Sequence, residues 1–92
     1  MLEELKYHLK ITWNEEDAEL EKLLIRGKSA LKRIFGVDIN YEEYEDAKEL
    51  LFNWCRYSRN HATEFFQQNF IEEINTLAFQ LAIDKKKGDE SE

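Results

Sequence analysis

Apolar residues recur along this chain at helical spacing, and nowhere with the alternation of a strand. Leu2, Leu5 and Leu9 share one face of a short opening helix. A break follows at ITWNEED. Asn14 is the preferred N-cap there, with Trp13 placed as a hydrophobic staple, and Thr12 with Glu15 forms a competing capping box. From about Glu15 to Phe35, Leu20, Leu23, Leu24, Gly27, Ala30, Leu31 and Ile34 form one apolar stripe. Gly27 lies inside it and marks either a close helix crossing or a local kink; Gly36 ends the helix as a C′ residue.

After the connection GVDINYEE, a second long helix starts near Tyr44. Ala47, Leu50, Leu51, Trp54, Tyr57 and Ser58 form its inner face, and Phe52 and Cys55 widen the apolar arc. A helix apolar over so wide an arc belongs at the centre of the fold. The pattern loosens between Asn60 and Asn69, and a third helix carries Phe70, Ile74, Leu77 and Leu81. The expected class is all-α: a small bundle of three main helices with a short N-terminal one. Residues 1–83 form a single domain, and residues 84–92, DKKKGDESE, form a charged, flexible tail without apolar anchors.

Composition supports that class. Proline is absent and only three glycines occur, too few for the turns of a sheet protein. The net charge of −7 repels phosphate, so nucleic-acid binding needs a local basic patch. A single cysteine, Cys55, excludes an internal disulfide and suits a reducing compartment. No apolar run approaches a membrane span and no secretory signal is visible, so a soluble chain without membrane partners is expected.

Acidic residues open each main helix and basic residues close it, which complements the helix dipole. Arg56 and Arg59 stand apart, because neither has a carboxylate three or four residues away. Their partners are another helix, a neighbouring subunit, an outside ligand or water. Asn53, Arg56 and Asn60 fall at i, i+3, i+7 with Arg59 beside them, a stripe suited to reading bases, holding a partner or meeting solvent.

No catalytic, metal or cofactor residues are expected. Cys55 and His61 are six residues apart and point to different sides of a helix, and no glycine-rich loop is present. His61 and Glu64 share a face, but two ligands do not make a metal site. A small DNA-binding regulator reading bases through Asn53, Arg56, Arg59 and Asn60 is the main alternative to a structural role. Against it stand a connection longer than a helix-turn-helix turn and the acidic opening Glu42, Glu43, Glu45 and Asp46.

LEELKYHLKITWNEEDAELEKLLIRGKSAL resembles the start of the small head–tail connector proteins of long-tailed bacteriophages and prophages: an LxxLKxxL helix, a break, an acidic helix start, a long helix. AKELLFNWCRYSRNHATEFFQQNFIEEINTLAFQLA resembles their second half, an apolar helix with an R-Y-x-R-N-like segment, an aromatic turn, an NF and an amphipathic last helix. The likeness covers most of Leu2 to Ile83. It implies a non-enzymatic adaptor without cofactor that forms a ring of roughly twelve copies, from soluble monomers, beneath the portal. That ring extends the DNA channel, passes genomic duplex without reading it, and receives a head-completion (stopper) or tail protein. The implied location is the host cytoplasm during assembly and then the virion's head–tail junction. Heterologous ring contacts need two unlike faces. Arg56 and Arg59 are candidates for one, Glu42, Glu45 and Asp46 for the other, and Lys85, Lys86 and Lys87 for ordering on the portal.

Overall fold

The computed structural model describes residues 1–90, with side chains for residues 1–86. Five helices follow in order: α1 (Leu2–Leu9), α2 (Asp17–Phe35), α3 (Glu45–Arg59), α4 (Phe66–Asn69) and α5 (Ile71–Glu90). A single 3-10 turn, Thr63–Phe65, leads into α4. There is no strand among the described residues, so the fold is all-α as the apolar spacing requires.

α3 is the central element, packed against α1, α2, α5 and the 3-10 turn. Its Ala47, Leu51 and Cys55 are fully buried, and Leu50 and Phe52 nearly so. α2 meets it with Leu20, Leu23, Leu24, Gly27, Ala30 and Leu31. Gly27 is the crossing point: a Cβ there would lie 2.7 Å from Leu51 Cδ1 and 3.1 Å from Trp54 Cε3. α2 runs unbroken through this position, so the glycine serves a close approach and not a kink. Gly36 ends α2 at φ 74°, where its N–H donates to the Lys32 carbonyl at 2.7 Å.

The aromatic density between Phe52 and Phe70 is mostly core. Phe66 is buried, and its ring lies 5.9 Å from Tyr57 and 5.1 Å from Phe70, with Tyr57 and Phe70 at 5.5 Å. These tilted and edge-on pairs join the end of α3 to the start of α5. Ile74 and Leu77 bury the rest of that contact.

Two boundaries differ from expectation. Asn14 does not cap α2, which begins at Asp17 after an N-cap position, Glu16, without a side-chain cap bond. Instead Asn14 Oδ1 accepts from Lys6 Nζ at 2.6 Å, and Asp17 Oδ1 accepts from the same ammonium at 2.8 Å. Lys6 is only 4 % exposed, and a covered ammonium requires such partners. Trp13 stays half in solvent and donates its indole N–H to Glu16 Oε2 at 2.7 Å, so it is no staple.

The second difference is at the C-terminus. α5 does not stop at Ile83 but continues to Glu90, through the expected tail boundary. Asp84 anchors this extension, accepting from Tyr44 Oη at 2.5 Å and from Gln80 Nε2 at 3.0 Å. The bond to that carboxylate holds the Tyr44 phenol up at about 12. Lys85 and Lys86 are exposed on α5, while the Lys87 side chain and residues 91–92 lie outside the described residues.

Candidate functional site: a charged stripe along the central helix

The exposed side of α3 carries Asp46, Glu49, Asn53, Arg56 and Asn60 at alternating three- and four-residue steps. That spacing keeps them in one line along the helix. The line is acidic at its beginning and basic at its end.

At the basic end, the C-terminus of α1 closes over α3 to form a groove of about 590 Å³, lined by His8, Leu9, Lys10, Asn53, Arg56, Arg59 and Asn60. Lys10 reaches it because α1 ends there in the left-handed region (φ 61°), its N–H returning to the Lys6 and Tyr7 carbonyls. The His8 ring packs on Phe52, with centroids 5.8 Å apart. Arg56 donates to Asn53 Oδ1 at 2.8 Å and lies 5.5 Å from the Tyr57 ring centroid. Among the described residues it has no carboxylate within ion-pair distance. Asn53 in turn donates to the Glu49 carbonyl at 2.9 Å, which fixes its orientation.

Arg59 has a partner in its own chain. Its Nη1 meets Glu16 Oε1 at 3.0 Å, tying the end of α3 to the start of α2. The Arg59 hydrogen bond, followed by that of Trp13, holds the Glu16 carboxyl below its ordinary value. Of the four partner classes open to these arginines, Arg59 takes another helix. Arg56 keeps its charge turned to the groove.

At the other end, Asp46 and Glu49 join Glu72 and Glu73 of α5 around a cleft of about 320 Å³, with Leu50, Asn53, Phe70 and Thr76 completing its walls. Asn53 borders both depressions. Glu42 and Glu45 are not part of this cleft. They approach Lys48 Nζ at 3.7 and 3.9 Å, and the same ammonium meets Glu4 at 3.1 Å. The Lys48 side chain is only 7 % exposed, and the Glu4 hydrogen bond leads the effects that raise its pKa. The acidic opening of α3 is therefore split, with Glu42 and Glu45 turned to a covered lysine and Asp46 to the cleft.

Lys6 and Lys48 were absent from the sequence-derived candidates. A signal existed: Lys6 sits between Leu2, Leu5 and Leu9 on one helical face, and Lys48 sits among Tyr44, Ala47, Leu51 and Phe52. A lysine inside an apolar stripe implies a buried ammonium with carboxylates gathered round it.

Cys55 is enclosed, its Sγ 3.9 Å from the Leu23 carbonyl, and burial pushes its thiol up to about 12. His61 is exposed on the turn after α3, at φ 54°. Among the described residues no group of three or more His, Cys, Asp or Glu side chains is placed to hold a metal ion, and no helix is long and apolar enough to cross a membrane. Comparison with protein-family models, with curated proteins and with solved structures finds no match to this chain.

Proposed function

We propose that this chain is a structural subunit of a head–tail connector, assembling as a ring beneath a phage or prophage portal. It would act in the host cytoplasm during assembly and then at the virion's head–tail junction, joining the portal to a head-completion or tail protein. The reading begins from the resemblance over Leu2–Ile83. The observation that supports it best is that α2 and α5 both pack on α3 while their outer faces expose unlike surfaces. On α2, Ile25 is 65 % exposed within a line of Lys22, Arg26, Ser29 and Arg33. On α5, Phe79 is 69 % exposed among Asn75, Thr76 and Gln80. A cyclic assembly needs two different faces per subunit, and an isolated large apolar side chain on each suits a hot spot ringed by polar residues. A chain of net charge −7 around a channel repels duplex and lets it slide.

The test is electron microscopy of portal rings mixed with the purified chain. A collar added beneath the portal is expected, lost in Ile25→Glu and in Phe79→Glu. Intact portal rings that acquire no collar from the wild-type chain refute the reading.

The second reading, a helical DNA-binding regulator, is favoured by one observation: Asn53, Arg56, Arg59 and Asn60 line a single groove with Lys10. Against it, the groove adjoins four carboxylates at Asn53, and Arg59 is engaged with Glu16. A gel shift that weakens steeply with salt and with Arg56→Ala supports this reading.

A further inference from the structure

The acidic cleft and the basic groove lie on the same side of α3 and meet at Asn53. That arrangement is self-complementary under a two-fold rotation. When a second copy is laid antiparallel along the first, its α3 reverses, and the basic end of each stripe faces the acidic end of the other. The register follows from the spacing. Asp46 and Asn60 are equidistant in sequence from Asn53, and Glu49 and Arg56 straddle it almost evenly, about 10 Å apart along the helix. A two-fold axis beside Asn53 sets Glu49 against Arg56 of the second copy twice over.

From this geometry we infer that the free chain forms a reversible antiparallel dimer through the Asp46–Asn60 stripe of α3. Glu72 and Glu73 extend the acidic half and Lys10 the basic half. The inference stands apart from the connector reading and concerns the chain in solution, before any portal is present.

Charge complementarity selects the occupant. A polyanion entering the groove would meet Asp46, Glu49, Glu72 and Glu73 at once beside it, and a polycation entering the cleft would meet Lys10 and Arg56. A partner with both signs in reversed order avoids both penalties, and a second copy presents that order by symmetry. Parallel copies would set acid on acid. Arg56, which lacks a carboxylate among the described residues, gains one in the pair. The contact is small and polar, so the pair is weak, with Kd on the order of 100 µM. Each copy carries net charge −7, so salt screens the mutual repulsion of the copies as well as the Glu49–Arg56 pairs, and charge reversal at those two positions isolates the contact.

Sedimentation equilibrium of the whole chain tests this, over concentrations up to about 1 mM in low and in roughly 0.5 M salt. The expected result is a monomer–dimer equilibrium in at least one of the two salts, with no larger species. Glu49→Lys and Arg56→Glu each abolish the dimer and remain folded, with Tm lowered by at most roughly 10 °C, since both residues are exposed and lose mainly their favourable place in the helix dipole. An equimolar mixture of the two variants, or the double variant carrying both, restores it. A wild-type chain that stays monomeric at about 1 mM in both salts overturns the inference. So does a dimer that the single variants leave intact, or an open ladder of larger species in place of a dimer.

Discussion

Gly27→Ala probes the closest contact in the fold. In an isolated helix this change gains about 1 kcal/mol, because alanine has the better intrinsic propensity. Here the new Cβ would sit 2.7 Å from Leu51 Cδ1, more than half an ångström inside ordinary carbon–carbon contact. Leu51 is fully buried and Trp54 Cε3 lies at 3.1 Å, so making room requires the Leu51 terminal methyl and the Trp54 ring to shift together. Forcing a methyl into a packed crossing costs about 1–3 kcal/mol. The overlap wins, and the net destabilisation is about 1 kcal/mol, equal to a fall in Tm of roughly 4–8 °C for a domain of this size. Urea denaturation with an unchanged m-value measures it. Leu51→Ala alone costs about 2–5 kcal/mol, but in the Gly27→Ala background it costs at least about 0.5 kcal/mol less, because the truncated side chain makes room for the new methyl. If Gly27→Ala instead stabilises the protein by its full helix-propensity gain, the close α2–α3 crossing is wrong.

The other predictions concern charge and titration. Lys6→Ala removes the ammonium shared by Asn14 and Asp17 and uncouples α1 from α2, costing about 2 kcal/mol by chemical denaturation, while the exposed Lys22→Ala costs less than about 0.5. Arg59→Ala returns the Glu16 carboxyl toward 4.5 in an NMR titration. Because the folded pKa of Glu16 is depressed, the stability it contributes is present above 4.5 and is lost as pH falls below that value, so the acid limb of the stability curve becomes shallower in Arg59→Ala. Burial raises Cys55 from 9.0 and Tyr41 from 10.0, each to about 12. Their contribution is complete below their unfolded values and lost as pH rises toward 12, so the urea midpoint falls between pH 9 and 12, and Cys55→Ala reduces that slope.

What the sequence disclosed followed the reach of local chemistry. The apolar face of α2, the Gly36 stop and the centrality of α3 depend on neighbours three or four residues away, and each was legible as spacing. Gly27 was legible only as a pair of alternatives, because choosing between them requires Leu51 and Trp54 on another helix. Asn14 failed as a cap because its side-chain oxygen serves Lys6, eight residues earlier, and a buried ammonium outranks a helix-end N–H. That α5 runs on past Ile83 was not legible as apolar spacing, and the bond that holds Asp84 comes from Tyr44, forty residues away. At the candidate site, the stripe Asn53–Arg56–Asn60 was read from the spacing, while its acidic continuation through Glu49 and Asp46 was not. Its meaning depends on tertiary neighbours: Lys10 arriving from α1, Glu72 and Glu73 from α5, and Glu16 engaging Arg59.

The connector assignment is tested most directly by weighing the complex. Mass photometry of portal rings, alone and with excess purified chain, reports the added mass ring by ring. Binding of one 11.1 kDa chain per portal subunit adds a discrete increment of roughly 130 kDa to a twelve-fold ring. That increment is the expected result. Intact rings whose mass is unchanged at saturating chain would contradict the assignment.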